Sequence, residues 1–304
     1  MNWKERLTTI IPGERIFFEE PMAKHTTFRI GGPAEVYVIP DNTKQIAETV
    51  SLCREQNIPC TVIGNGSNLL VSDEGVRGVV IRMESASYSE IGTEDGRTLF
   101  SVDAGMLFSS FAKALCKEGY TGLEYAAGIP GTVGGAIVMN AGAYGGEVKD
   151  ALVMAEVLQK DGSVVRKTAE ELELSYRHSN LTDNGDIVLS GVFAVRKSED
   201  IDAVSALVAD LSERRKSKQP LEFPSAGSTF KRPEGFFAGK LIEDCGLRGF
   251  QVGGAQVSEK HCGFVINTGN ATAADVIYLI GAVQKNVYER FGVMLEPEVK
   301  FLGF

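Results

Sequence analysis

Apolar positions recur at helical spacing over residues 41–57, where Ile46, Ala47, Val50 and Cys53 form one stripe. The pattern predicts a helix capped by Asp41 or Thr43 and ended by Asn57 and Pro59. The period then shortens. Cys60 to Ile63 reads as a strand running into the glycine-rich stretch Gly64–Asn68, and Leu69 to Val71 continues as strand beyond it. Val79 to Met83 and Leu99 to Val102 are further strands. Phe108 to Lys117 is an amphipathic helix, with Gly119 just past its end. Strands near 152–159 and 163–167 bracket Asp161-Gly162, a hairpin signal. Thr168 and Glu171 fit a capping box for a short helix, and Asp186 to Val195 is a strand. A helix near 199–216 opens on acidic residues and closes on Arg214, Arg215, Lys216 and Lys218, an order that suits the helix dipole. Pro220 and Pro224 mark a boundary. Beyond it the pattern predicts a helix near 236–245, a strand near 261–266, a long helix from Ala273 to Phe291 closed by Gly292, and a strand near 293–302. Closely spaced strands with separate helices make this an α+β chain rather than a regular βαβ series.

Composition narrows the class. The 304 residues carry 43% hydrophobic and 23% charged side chains and a net charge of −9, ordinary for a globular protein of about two domains and unsuited to nucleic acid or an anionic membrane. No apolar run reaches the roughly 20 residues that span a bilayer, and the N-terminus does not read as a signal peptide. Five cysteines without any CxxC suggest reduced thiols in the cytoplasm. Three histidines, none at ligand spacing, give no metal site.

Two glycine-rich stretches hold the chemistry, Gly64–Asn68 and Gly128–Gly135. Neither contains a lysine. Tight turns alone would explain either one. Together they suggest backbone amides surrounding the diphosphate of one long ligand, such as a dinucleotide cofactor. The first lacks the third glycine of the dinucleotide fingerprint. Gly235 to Leu241 imitates a phosphate loop but is one residue short and ends in Leu where Mg²⁺ chemistry needs Ser or Thr.

Six ordered motifs then carry a resemblance over nearly the whole chain. They are Thr27 to Gly32, Gly64 to Asn68, Ile129 to Gly135, Tyr176 to Ser179, Ala226 to Phe230 and Leu295 to Phe301. Together they resemble the UDP-N-acetylenolpyruvoylglucosamine reductases, also called UDP-N-acetylmuramate dehydrogenases. The resemblance implies an FAD-binding fold of the vanillyl-alcohol oxidase and p-cresol methylhydroxylase type with a C-terminal α+β substrate-binding domain. It places the FAD region at 1–197, in two lobes of roughly 1–75 and 76–197, and the substrate-binding domain at 198–304, with the last strand returning toward the FAD region. It implies reduction by NADPH of UDP-N-acetylglucosamine enolpyruvate to UDP-N-acetylmuramate, a peptidoglycan precursor. FAD is assigned to Gly64, Asn65, Gly66, Ser67, Asn68 and Leu69, and to Gly131, Thr132, Gly134, Gly135 and Ala141. Gly66→Val is expected to abolish flavin retention by blocking close backbone approach. His25 lies outside the glycine motif, so the flavin is expected to be non-covalent.

The implied reaction adds hydride to one alkene carbon and a proton to the other. Arg177 is expected to hold the substrate carboxylate and the charge that develops, Glu298 to bond that carboxylate or orient Arg177, and Ser228 to supply the proton. Without the resemblance each has a plainer reading: a surface arginine, an edge glutamate, a turn serine. Lys218 is assigned to the UDP diphosphate. Arg214, four residues earlier, Arg232 and Tyr176 complete the candidate substrate contacts. His178 and His261 read as structural. The stretch between Arg177 and Arg214 is too short for the tyrosine-bearing segment of one family branch, and Arg232 stands where many relatives have Asn. Two other readings stay open on residues alone: another FAD-dependent oxidoreductase of the same fold, such as a hydroxy-acid or sugar oxidase, and a non-catalytic nucleotide-sugar binder.

Overall fold

The computed structural model describes residues 2–304. The chain divides into two compact units: one of residues up to Phe17, Tyr37–Gly64 and Val79–Arg214, the other of Phe18–Val36, Asn65–Gly78 and Arg215–Phe304. The backbone passes between them at several points, one of which falls inside the first glycine stretch.

The first unit is built on an antiparallel sheet. Its strands run, edge to edge, Val164–Thr168, Leu152–Leu158, Ile187–Lys197, Arg97–Asp103 and Tyr88–Glu94, and Tyr120–Thr121 pairs with the end of Ile187–Lys197. The helices Phe108–Lys117 and Val133–Val138 belong to the same core. Phe108 and Phe111 are fully buried and meet Phe193 with ring centroids 5.8 and 5.6 Å apart. Tilted and edge-to-face rings of this kind add to plain burial. The helix Thr43–Glu55 lies where periodicity places it, but its cap is Asn42, whose side chain accepts from Gln45 N, rather than Asp41 or Thr43. The strand Cys60–Ile63 pairs in parallel with Val79 to Arg82.

In the second unit Ser225–Ser228, Phe264–Asn267, Ala255–Val257 and Gln251–Val252 form an antiparallel sheet, and Leu69–Val71 pairs in parallel with Lys300–Leu302. The helices Ala238–Asp244 and Ala273–Phe291 cover a core that includes Phe28, Leu70, Phe230 and Val283. The long helix carries a Thr272–Asp275 capping box, and Asp73 accepts from Ala273 N at 2.8 Å and Ala274 N at 3.0 Å. Its N-terminal donors are thus satisfied from a segment 200 residues earlier.

Two further sequence expectations fail for identifiable reasons. The bonds of the Thr168–Glu171 capping box both form, yet only one turn follows, Leu172 N donating to Thr168 O. Glu173, with φ +50°, turns the backbone left-handed directly afterwards. The strand expected over 293–302 is reduced to Lys300–Leu302, because residues 296–298 bond instead to the segment after Ser228. Among the described residues no helix is long and apolar enough to cross a membrane, and no three His, Cys, Asp or Glu side chains cluster as metal ligands.

Candidate active site

In the first unit the two glycine stretches meet. A β-carbon on Gly64 would lie 2.2 Å from Thr132 Oγ1, so only glycine allows this approach with Thr132 in place. Thr132 is itself the cap of Val133–Val138, accepting from Gly135 N at 3.4 Å. Val133 N donates to Met106 O at 2.8 Å and Gly134 N to Ala104 O at 2.9 Å. Ala141 N bonds Ala136 O at 2.8 Å. The expectation that both stretches offer bare amides therefore needs correction: much of the second spends its donors on its own scaffold. The amides of Gly64, Gly66 and Ser67 donate to no protein group among the described residues. The first stretch thus retains the donors that a diphosphate needs.

In the second unit Gly66 has φ +60°, and a β-carbon there would lie 2.1 Å from the His25 carbonyl oxygen. A valine at this position strikes the protein's own backbone, so flavin loss in Gly66→Val would not isolate a ligand contact. Thr27 N donates to Gly66 O at 3.3 Å. Asn68 ends the stretch as a hub: its Nδ2 donates to Glu298 O at 3.1 Å and its carbonyl accepts from Lys300 N at 2.9 Å.

Glu298 is tied in turn to the Ser228 segment. Glu298 N donates to Thr229 O and Lys231 N to Glu296 O, both at 2.8 Å, and Phe230 bridges Pro297. Ser228 and Glu298, 70 positions apart, therefore flank one short backbone seam beside Asn68. Thr229 fixes the seam from beneath: it is buried, its N–H bonds Gly263 O at 2.8 Å, and its hydroxyl accepts from Val265 N at 2.9 Å. His261 braces the same region through a local bond. Its Nδ1 accepts from Gly263 N at 3.0 Å, and burial pushes its pKa down, which keeps the ring neutral.

The candidate substrate cations differ in setting. Lys218 is the exposed last residue of the helix Ile201–Lys218. Arg232 lays its guanidinium 4.0 Å from the centroid of the Phe237 ring. Arg214 forms an exposed ion pair with Asp210 at 2.8 Å.

Arg177 belongs to the first unit and has φ +55°. It sits in a tight turn closed by Ser175 N to His178 O at 3.0 Å and His178 N to Ser175 O at 3.2 Å. Its Nη2 donates to Gly142 O at 3.0 Å, and its guanidinium lies 5.0 Å from the centroid of Tyr176, which is largely exposed. A non-glycine residue held left-handed stores strain, which persists only where the surroundings impose it. Glu147 lies nearby. Burial alone raises its pKa, but Lys149, the Asn140 amide and the Arg177 charge outweigh that and hold it below the usual carboxylate range.

Two family models cover most of this chain: an FAD binding domain over residues 34–168 and the C-terminal domain of UDP-N-acetylenolpyruvoylglucosamine reductase over 219–302. A UDP-N-acetylenolpyruvoylglucosamine reductase of Lachnoclostridium phytofermentans is 52% identical over 301 residues, covering 98% of this chain and 96% of the relative. One from Agathobacter rectalis is 51% identical, covering 98% and 97%. The chain belongs to the UDP-N-acetylenolpyruvoylglucosamine reductase family. The crystal structure of the Thermus caldophilus reductase superposes with a TM-score of 0.77 at 36% identity, covering 94% of this chain and 98% of that one. A Physcomitrella patens BBE-like protein, 18% identical with a TM-score of 0.50 over 65% of this chain and 45% of its own, shares the fold alone. The α+β architecture is therefore that of the FAD-binding family, as the motifs imply. Sequence reasoning missed Asn140 and Asp73. Asn140 could have been suspected, because an Asn among small residues just after a helix readily turns left-handed.

Proposed function

We infer that this chain is an FAD-dependent reductase that converts UDP-N-acetylglucosamine enolpyruvate to UDP-N-acetylmuramate at the expense of NADPH, a step of peptidoglycan precursor synthesis. The observation that carries the inference is full-length likeness at 52% identity to a reductase of that name. It disfavours the oxidase reading, since a grass pollen allergen with glucose dehydrogenase activity that shares the fold is only 13% identical. The cytoplasm, which holds NADPH and keeps the five free thiols reduced, is the proposed location.

The open amides of Gly64, Gly66 and Ser67 fit a diphosphate. FAD is assigned to Gly64–Leu69 and to Gly131, Thr132, Gly134, Gly135 and Ala141, with Gly134, Gly135 and Ala141 acting through close approach more than through donors, because their amides are already engaged. When bound, FAD supplies the hydride chemistry. The protein must then manage charge and one proton. Arg177, permanently cationic, holds the substrate carboxylate and the negative charge that spreads onto it, an interaction worth roughly 3–4 kcal/mol in a dry site. Ser228 delivers the proton, an alcohol being acid enough toward a carbanion-like centre. Glu298, seamed to the Ser228 segment, bonds the carboxylate or orients its partner. Lys218, Arg232 and Tyr176 take the nucleotide-sugar, with Arg214 a weaker member because Asp210 already engages it. Residues 1–197 are proposed as the FAD region and 198–304 as the substrate domain.

The test is a pair of half-reactions in Ser228→Ala. NADPH should bleach the yellow protein at the unaltered rate, because that step needs no substrate proton. Reoxidation by the enolpyruvyl substrate should fall about 10²–10⁴-fold. Near-normal reoxidation would remove Ser228 as the proton donor.

A further inference from the structure

The short segment after the second glycine stretch and the turn that carries Arg177 are laced together by three bonds. Ser179 Oγ donates to Val138 O at 2.6 Å, Asn140 Nδ2 to Ser175 O at 2.9 Å, and Arg177 Nη2 to Gly142 O at 3.0 Å. Asn140 is the middle tie and the most committed. It is fully buried. Its Nδ2 also donates to Glu147 Oε2 at 2.8 Å, and its Oδ1 accepts from Lys149 N at 3.0 Å. Its backbone is left-handed, φ +42°, which asparagine tolerates better than most residues. Side chain and backbone thus both call for Asn. Ser175, whose carbonyl it holds, opens the turn in which Arg177 is kept at φ +55°.

We propose that Asn140 is a positioning residue: it clamps the strained Ser175–His178 turn and so aims the Arg177 guanidinium for the reaction. The proposal rests on the assignment of Arg177 to the substrate carboxylate. Loss of both amide donors leaves the Ser175 carbonyl with only the His178 N–H of its own turn, removes the tie to the neighbouring segment, and lets the turn relax toward ordinary backbone angles. The Arg177 side chain then samples many directions, and an aimed charge loses most of its effect.

Limited trypsin digestion reads the clamp without any turnover, because the Arg177–His178 bond lies inside the turn. In FAD-loaded Asn140→Ala, cleavage there should accelerate roughly tenfold, the effect of one buried hydrogen bond. Bleaching by NADPH should stay within about twofold, while reoxidation by the enolpyruvyl substrate falls roughly 10–100-fold. Where the alanine variant does not hold its fold, Asn140→Asp serves, being the same size and equally tolerant of left-handed backbone. The aspartate keeps the Lys149 contact and lacks donors when ionised. Burial and the Glu147 charge favour its protonation while the Lys149 and Arg177 charges oppose it, so acid returns one donor. Protection of Arg177–His178 and the reoxidation rate in this variant should therefore recover together as pH falls, a rescue that a purely structural asparagine would not show. Wild-type protection and reoxidation in both variants would overturn the proposal. So would slow reoxidation with protection intact. Rapid cleavage with normal reoxidation would leave the clamp standing but remove Arg177 from the chemistry.

Discussion

The two glycine stretches look alike as sequence and behave differently as structure. In Gly64–Asn68 the glycines exist because something presses on them: Thr132 on Gly64, and the His25 carbonyl on Gly66. Their amides stay available. In Gly131–Gly135 the amides of Val133, Gly134 and Gly135 are consumed in starting a helix and docking it on Ala104 and Met106. A β-carbon on Gly135 would meet nothing nearer than 3.6 Å. Glycine content therefore does not measure ligand binding. The useful question is whether each amide is already spoken for.

The comparison breaks most severely at Gly66. Gly66→Ala should cost on the order of 3 kcal/mol, since a left-handed angle and a backbone clash combine and no rotamer relieves either. A urea midpoint close to wild type would show that the His25 segment yields. Gly64→Ala comes next, at about 1–3 kcal/mol, because Thr132 Oγ1 must move and surrender its cap. Thr132→Ala alone should cost about 1 kcal/mol, the worth of an N-cap. The double variant should then lose less than the sum, both changes removing the same bond, and strict additivity would mean the stretches do not meet there. Gly135→Ala should have the opposite sign. The apoprotein gains roughly 0.5–1 kcal/mol as an exposed helical glycine is replaced, while flavin is retained less well. Undiminished flavin retention would strike Gly135 from the cofactor set.

The smallest effect separates the surroundings of the two stretches by pH. His261 resists protonation in the folded second unit, whereas the unfolded chain takes up its proton near the ordinary value of 6.5. More protons on the unfolded chain means stability falls as pH drops below about 6.5, and His261→Asn should flatten that slope. Glu147, beside Arg177 in the first unit, has the usual depressed carboxylate pattern. Its contribution is present above its unfolded value of about 4.5 and is lost only as pH falls through a lower folded value. Acid should thus loosen the second unit before the Arg177 turn, followed by near-ultraviolet circular dichroism and by trypsin cleavage at Arg177–His178.

Regular elements were legible wherever periodicity and capping agreed. The helices Phe108–Lys117 and Ala273–Phe291 have the bounds their sequence patterns predict, with Gly119 and Gly292 left-handed just past each end. The short strands Ser225–Ser228 and Gln251–Val252 were not legible, because a few residues of edge strand carry no pattern of their own. The Thr168–Glu171 box shows the same limit from the other side: a local signal can form every bond it promises and still not propagate.

Sequence by itself determined the α+β class, the long amphipathic helices, the family and the residue types available for charge and proton transfer, since these follow from local period, composition and ordered motifs. Tertiary structure decided which amides remain open, that Asn68, Ser228 and Glu298 share one seam, and that Asn140 holds the turn of Arg177. Those outcomes depend on bonds between segments tens to hundreds of positions apart, and a hydrogen-bond donor is spent or spared only when its distant neighbour arrives.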